Sequence, residues 1–148
     1  MDKAFVKLAE KIIEERGKNI LLDNKLTKAF FMDYGRGEFK KEINLLIKTI
    51  ELNYVKRIID SDNLDITVKI LSRELIEEHF INEEIANSIV LLLIGLLRNK
   101  YYLDKIDEKP IDKLFEIDIN KKKQIENLIS TLKMIMLKKL DINIVIVK

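Results

Sequence analysis

The stretch from residue 82 to residue 97, NEEIANSIVLLLIGLL, decides the fold class. Asn82 is a residue type that caps helices, and Glu83 and Glu84 place acids in the first turn, where the helix dipole favours negative charge. The residues that follow are apolar nearly all round a helix, as in helices at the centre of a bundle. Their apolar run, 89–97, has nine residues, whereas a membrane-spanning helix needs about 20. The stretch predicts the central helix of a mainly α-helical protein.

Before this stretch, apolar residues recur at three- and four-residue steps between short breaks. Gly17, Gly35 and Gly37 mark two of the breaks, since glycine is common where helices end. The pattern predicts four further helices, which are 3–16, 24–34, 38–60 and 64–80. Asp2, Asp23 and the polar cluster that ends at Asn63 are the predicted N-terminal caps of the first, second and fourth. Residues 1–100 are therefore predicted to form a five-helix bundle domain.

After Pro110 the pattern changes. Residues 115–119 alternate between apolar and polar types, residues 121–140 have a helical pattern, and residues 142–147 are rich in β-branched types. The literal interpretation of the C-terminal extension, 101–148, is strand, helix, strand. An all-α alternative makes residues 111–118 a short helix and residues 142–147 a tail on the bundle.

The second predicted strand suggests how the extension is used. Two parallel strands form a marginal sheet, and an unpaired strand edge invites another strand. The extension is therefore expected to pack on the bundle or to mediate a homodimer through residues 142–147. Ile144 and Ile146 are the predicted contact residues of that dimer.

Composition excludes several classes of site. The chain of 148 residues has 27 basic and 25 acidic side chains, no cysteine and one histidine, His79. Without cysteine there is no disulfide, thiolate zinc site or iron–sulfur cluster, and one histidine cannot supply sites that need two or three. Consecutive glutamates such as Glu14 and Glu15 project about 100° apart on a helix, so their carboxylates do not converge. We therefore expect no catalytic residue, metal or cofactor, and no enzymatic activity.

Two basic regions are candidates for contact with a partner. Arg36 lies between two glycines and is placed to meet an anion, although its loop lacks the spacing of a nucleotide-binding loop. Lys121, Lys122 and Lys123 begin the last predicted helix, where positive charge opposes the helix dipole. Contact with nucleic acid or an acidic partner is the functional interpretation of these lysines, whereas a solvated face is the interpretation that we favour.

Three segments carry a resemblance to a known domain: GKNILLD at 17–23, FMDY at 31–34 and GEFKKEINLL at 37–46. Over residues 5–98 the chain resembles a small helical domain of uncharacterised bacterial proteins. That domain often stands at the N-terminus or beside chaperone-like, kinase-like or zinc-ribbon modules. Its motif is a helix-packing pattern without a catalytic residue, so the resemblance implies an accessory or interaction role.

These observations favour a non-enzymatic protein–protein interaction module or regulatory accessory protein. Nucleic-acid binding through a basic face of the last helix is the alternative, although the net charge of +2 gives it little support. The N-terminal residues lack the basic and apolar regions of a signal peptide. We therefore expect a cytoplasmic protein that does not associate with membranes.

Overall fold

The computed structural model describes the backbone of residues 1–106 and 111–147, and the side chains of residues 1–106 and 121–139. This part of the chain is mainly helical and contains no β-strand. Its α-helices are α1 (Lys3–Arg16), α2 (Asn24–Gly35), α3 (Lys40–Glu51), α4 (Tyr54–Ile59), α5 (Leu64–His79), α6 (Glu83–Leu97) and α7 (Ile111–Val147). Two 3₁₀ helices, Lys18–Leu22 and Lys100–Lys105, follow α1 and α6. The chain divides into two compact units, Met1–Leu114 and Phe115–Lys148.

The first unit is built around α6, as the sequence predicts. Eleven of its residues are buried, and it packs against α1, α4, α5 and the second 3₁₀ helix. The side chain of Asn82 accepts a hydrogen bond from the backbone N–H of Glu84 at 2.8 Å, which confirms the predicted cap. A helix buried on nearly all sides fixes where its neighbours pack, so α6 organises the core of the first unit.

Three helices of the first unit, α1, α2 and α5, begin directly after the predicted capping residues. Each cap accepts hydrogen bonds from backbone N–H groups that have no partner inside the helix. Asp2 does so for Ala4 at 2.8 Å, Asp23 for Lys25 at 2.9 Å, and Asn63 for Ile66 at 3.2 Å. The starts of α1, α2 and α5 are therefore set by local side-chain chemistry.

The predicted helix 38–60 is two helices, α3 and α4. Between them Asn53 has a φ of 65°, a left-handed conformation that asparagine tolerates better than most residues and that a continuous helix does not allow. The break lets α4 bury Tyr54, Val55 and Ile58. Residues 1–106 consequently contain six α-helices where five were predicted.

The C-terminal end of α4 is capped by Arg98, the residue that follows α6. A guanidinium nitrogen of Arg98 donates to the carbonyl oxygens of Ile58 and Ile59, both at 2.9 Å, and of Ser61 at 3.0 Å. The last carbonyl groups of a helix have no intrahelical partner. Arg98 therefore ties the C-terminal end of α4 to that of α6.

The first unit extends beyond residue 100 because the second 3₁₀ helix lies directly on α6. The contact is made at Gly95, where a Cβ atom would collide with the side chain of Leu103 and lie 3.2 Å from its backbone nitrogen. Tyr102 in the same 3₁₀ helix is buried, and its hydroxyl donates to Asp65 at 2.7 Å. Absence of a side chain at position 95 thus permits this close approach.

The predicted strands are wrong. Residues 115–119 and 142–147 lie within the single helix α7, which is also longer than the short helix and separate tail of the all-α alternative. Strand propensity is a weak, context-dependent preference, and residues 111–147 contain no glycine or proline to interrupt a helix. A helix also satisfies its backbone hydrogen bonds internally, which two isolated strands do not. Pairing of residues 142–147 as a strand therefore has no structural basis, and the side chains of Ile144 and Ile146 lie outside the described residues.

Candidate interaction surface

The second unit exposes a row of large apolar side chains. Six of them on α7 share one side of the helix, because at about 100° per residue they fall within an arc of about 120°. They are 47–65% exposed. We call this set the apolar stripe; its members are Ile125, Leu128, Ile129, Leu132, Ile135 and Met136. A contiguous exposed apolar surface of this kind is typical of a protein interaction site.

The apolar stripe has the spacing of a helix-pairing seam. Ile125, Leu128, Leu132 and Ile135 follow one another at three, four and three residues, which is the alternation of a heptad repeat. In proteins, a helix gains most of its stability from packing its apolar face and less from the intrinsic helix propensity of its residues. A surface that covers the stripe is therefore expected to stabilise α7.

The predicted contact residues Lys121, Lys122 and Lys123 are exposed on α7. Residues 121–139 contain six lysines and a single acid, Glu126. At about 100° per residue, Lys122 flanks the apolar stripe while Lys123 and Lys138 lie on the opposite side of the helix. The lysines therefore surround α7 and do not form the single basic face that the sequence analysis considered.

Two lysines lie in line with the apolar stripe. Lys121 and Lys139 are 18 residues apart, which is five helical turns, so both project in the direction of the seam. Along the helix axis they are separated by about 27 Å. Lys121 precedes Ile125 by four residues and Lys139 follows Ile135 by four, so each lies about one helical turn from the nearest heptad-spaced residue of the apolar stripe.

Arg36 has a structural role in the first unit. It is the C-terminal cap of α2, with a left-handed φ of 51°, and its backbone N–H donates to the carbonyl of Asp33 at 3.3 Å. The residue ends the helix in the way that glycine often does. Arg36 belongs to the first unit, whereas Lys121, Lys122 and Lys123 belong to the second.

A cleft of about 340 Å³ lies in the first unit between α1, the end of α6 and the second 3₁₀ helix. Charged groups on its wall are engaged in structural contacts. Lys18 donates to the carbonyl of Leu97 at 3.1 Å, Lys100 pairs with Glu14 at 3.5 Å, and the Arg98 guanidinium caps α4. Four of the five charged residues that line the cleft therefore make contacts within the first unit; the fifth is Glu10.

A contact between α4 and α5 in the first unit shifts the pKa values of its ionisable side chains. The guanidinium of Arg57 donates to both carboxylate oxygens of Glu74, at 2.6 and 2.8 Å. Burial, together with the neighbouring Glu74 carboxylate, raises the pKa of Tyr54 to about 12. The hydrogen bonds from Arg57 lower the pKa of Glu74. Sequence reasoning missed this contact because it predicted one helix over residues 38–60 and so did not separate α4, which packs against α5.

The described residues offer no cluster of three or more histidine, cysteine, aspartate or glutamate side chains that could hold a metal ion. In the same part of the chain, none of the helices is long and apolar enough to cross a membrane.

Comparison with known proteins gives no match among protein-family models, curated proteins or solved structures.

Proposed function

We propose that this protein is a non-enzymatic interaction module of the cytoplasm, in which α7 is a docking helix for another protein. The apolar stripe is the single observation that carries the proposal. A helix whose apolar side chains are spaced for pairing is a common ligand of grooves and of other helices. An accessory role is also what the resemblance over residues 5–98 implies.

The energetics of the stripe favour a protein partner. Burial of an exposed leucine or isoleucine side chain contributes about 1.5–3 kcal/mol, and binding energy is concentrated in a few residues near the centre of an interface. Leu128 and Leu132 occupy the middle of the stripe, where a covering surface excludes water most completely. We expect these two residues to contribute most to binding.

The proposal is tested by capturing partners from the native host with the full chain. The double variant Leu128→Gln/Leu132→Gln makes the middle of the stripe polar without adding charge. Its matched control, Met134→Gln/Leu137→Gln, changes two residues that are equally exposed but lie outside the stripe. Circular dichroism checks that both variants keep their helical content.

We expect a protein that crosslinks to the wild-type chain and to the control, and at least tenfold less to the stripe variant. Equal capture by all three chains contradicts the proposal. Capture that is lost only with the control variant would place the contact on the other side of α7.

Nucleic-acid binding is the second candidate, favoured by the excess of lysine over acid in residues 121–139. If lysines contact phosphate groups, binding weakens steeply as the salt concentration rises. The double variant Lys122→Gln/Lys123→Gln is also expected to bind more weakly than the wild-type chain. A gel-shift titration of RNA and DNA at low salt tests this candidate. Lack of any retardation removes it.

A further inference from the structure

We propose that the outward side of α5 is a dimer interface, on which two copies of this chain pair antiparallel about a two-fold axis. The inference goes beyond the proposed function, because it concerns the first unit and not α7. It rests on a line of five exposed residues whose chemistry is complementary to itself. These residues are Ile66, Ile70, Arg73, Glu77 and Phe80.

The outward side of α5 carries large apolar side chains where a surface helix normally has polar ones. Ile66 and Ile70 are 53% and 48% exposed. Phe80, at the end of the helix, is 85% exposed and is the most exposed large apolar residue in the part of the chain that the structure describes. At about 100° per residue, the five residues fall within an arc of about 80° and form a line about 21 Å long. We call this line the α5 face.

The backbone of Phe80 also points to a contact outside the chain. Phe80 ends α5 in the left-handed conformation, with a φ of 55°. Glycine and asparagine adopt this conformation at helix ends at a lower cost. Because the ring is exposed, it brings no compensating burial within its own unit. Burial of the ring against a partner supplies that compensation.

Two charged residues occupy the middle of the α5 face. Arg73 precedes Glu77 by four residues, which is the order that gives the weaker ion pair within one helix. Both are exposed, and neither forms a hydrogen bond or an ion pair with another described residue. The guanidinium and the carboxylate are therefore free to pair with opposite charges on a second surface.

A second copy of α5 offers those opposite charges. In an antiparallel pair with the two-fold axis at the level of Leu75, Arg73 and Glu77 each lie two residues, or about 3 Å, from the axis. The symmetry then places Arg73 of each copy beside Glu77 of the other. Ile70 and Phe80 each lie five residues from the same level, so the ring of each copy faces the isoleucine of the other. One arrangement thus forms two ion pairs and two apolar contacts.

Charge selects this arrangement over the alternatives. A parallel pair stacks Arg73 on Arg73 and Glu77 on Glu77. Sliding the antiparallel pair by one turn stacks the two arginines in one direction and the two glutamates in the other. Like charges that face each other disfavour a complex. The α5 face therefore specifies one orientation and one register with a copy of itself, which is why we name a second copy as its occupant.

The size of the α5 face sets the strength that we expect. A line about 21 Å long and one helix, or about 10 Å, wide is smaller than the about 800 Å² that each partner buries in a standard interface. We therefore expect a weak dimer, with a dissociation constant in the micromolar-to-millimolar range.

Charge reversal tests the proposed register in the full chain. Sedimentation equilibrium at low salt measures self-association of the wild type, Arg73→Glu and Glu77→Arg. Each single variant places like charges together at both ion pairs, so we expect each to dimerise at least about tenfold more weakly than the wild type. An equal mixture of the two variants is expected to regain dimers, because one chain then supplies two glutamates and the other two arginines.

The matched control is Glu78→Arg. It makes the same change of charge as Glu77→Arg at the next exposed residue, which projects about 100° away on the helix. We expect this variant to associate like the wild type.

The apolar contact is tested by Phe80→Asn. Asparagine tolerates the left-handed conformation, so the free chain is expected to keep its stability in thermal unfolding. Because the ring is lost, we expect self-association to weaken at least about tenfold.

Four results overturn the inference. The first is a wild-type chain that stays monomeric at about 1 mM, where a weak dimer is populated. The second is a mixture of Arg73→Glu and Glu77→Arg that gains no dimers. The third is a dimer that is lost with Leu128→Gln/Leu132→Gln and kept with the charge variants, which assigns self-association to the apolar stripe. The fourth is capture of a foreign protein that Phe80→Asn abolishes while the wild type stays monomeric, which makes that protein the occupant. Stripe-dependent capture is a separate readout, so the proposed function and this inference can fail independently.

Discussion

Helices α6 and α7 are both rich in leucine and isoleucine, but they use these residues in opposite ways. From Ile85 to Leu97, α6 has no charged residue and most of its side chains are buried. Between residues 121 and 139, α7 mixes apolar residues with seven charged ones, and every side chain is exposed. The difference teaches that α6 completes a core within its own unit, whereas α7 leaves one apolar side exposed over residues 121–139.

Truncating one leucine in each helix gives the largest expected contrast. Leu93 is 0% exposed, so Leu93→Ala leaves a cavity and is expected to destabilise the protein by about 2–5 kcal/mol. Leu132 is 59% exposed, so Leu132→Ala is expected to change the stability of the free protein by no more than about 0.5 kcal/mol. Both changes introduce the same residue into a helix, which equalises helix propensity.

Denaturant unfolding followed by circular dichroism measures both free energies of unfolding. A loss of stability for Leu132→Ala as large as that for Leu93→Ala would show that the apolar stripe is already covered in the free protein, and the contrast between the helices would disappear.

Gly95 tests why α6 is covered on the side that faces the second 3₁₀ helix. Alanine is favoured over glycine in a helix by about 1 kcal/mol, but the new Cβ atom meets Leu103. Because the collision involves Cγ as well as Cδ2 of Leu103, with its backbone nitrogen 3.2 Å away, a simple side-chain rotation does not relieve it. We therefore expect Gly95→Ala to destabilise the protein by about 1–3 kcal/mol.

The control for this change is Asn87→Ala, at a half-buried position of the same helix. It brings the gain in helix propensity without a collision at Leu103, and we expect it to be neutral or stabilising in the same unfolding experiment. Stabilisation by Gly95→Ala would mean that the 3₁₀ helix does not press on α6.

Sequence reasoning succeeded where local chemistry decides structure. The apolar content of α6 predicted its central position, and Asp2, Asp23, Asn63 and Asn82 act as the predicted caps. It failed at Asn53. The left-handed conformation of this residue separates α3 from α4, and the sequence around it does not indicate a break. It also failed in residues 142–147, where β-branched composition was taken as a strand although no partner strand is present among the described residues.

The candidate surface was predicted only in part. Lys121, Lys122 and Lys123 were identified from their charge, and they are exposed on the helix that was expected there. The apolar stripe beside them was missed, because a helical apolar face is normally buried in the chain's own core and sequence periodicity does not distinguish that case from an exposed one. Exposure is a property of the whole fold and is visible only in the structure.

The smallest expected effect is a loss of stability at alkaline pH that arises from Tyr54 in the first unit. Burial raises the pKa of Tyr54 to about 12, above an ordinary value of 10, so the folded state holds the phenol proton more tightly than the unfolded state. The contribution of Tyr54 to the free energy of unfolding is therefore fully present below pH 10 and is lost as the pH rises towards 12. All four tyrosines precede α7, so tyrosine absorbance follows this unit only.

The variant Tyr54→Phe isolates this contribution, because a hydrogen bond to Asp65 also raises the pKa of Tyr102. We expect the variant to lose less stability than the wild type between neutral pH and pH 11, measured by thermal unfolding at each pH. Identical pH dependence in the two proteins would assign the effect to Tyr102 and would mean that Tyr54 is hydrated in solution. In either case the tyrosine signal reports on the first unit only, because no tyrosine lies in α7, which keeps the buried and the exposed helices experimentally separable.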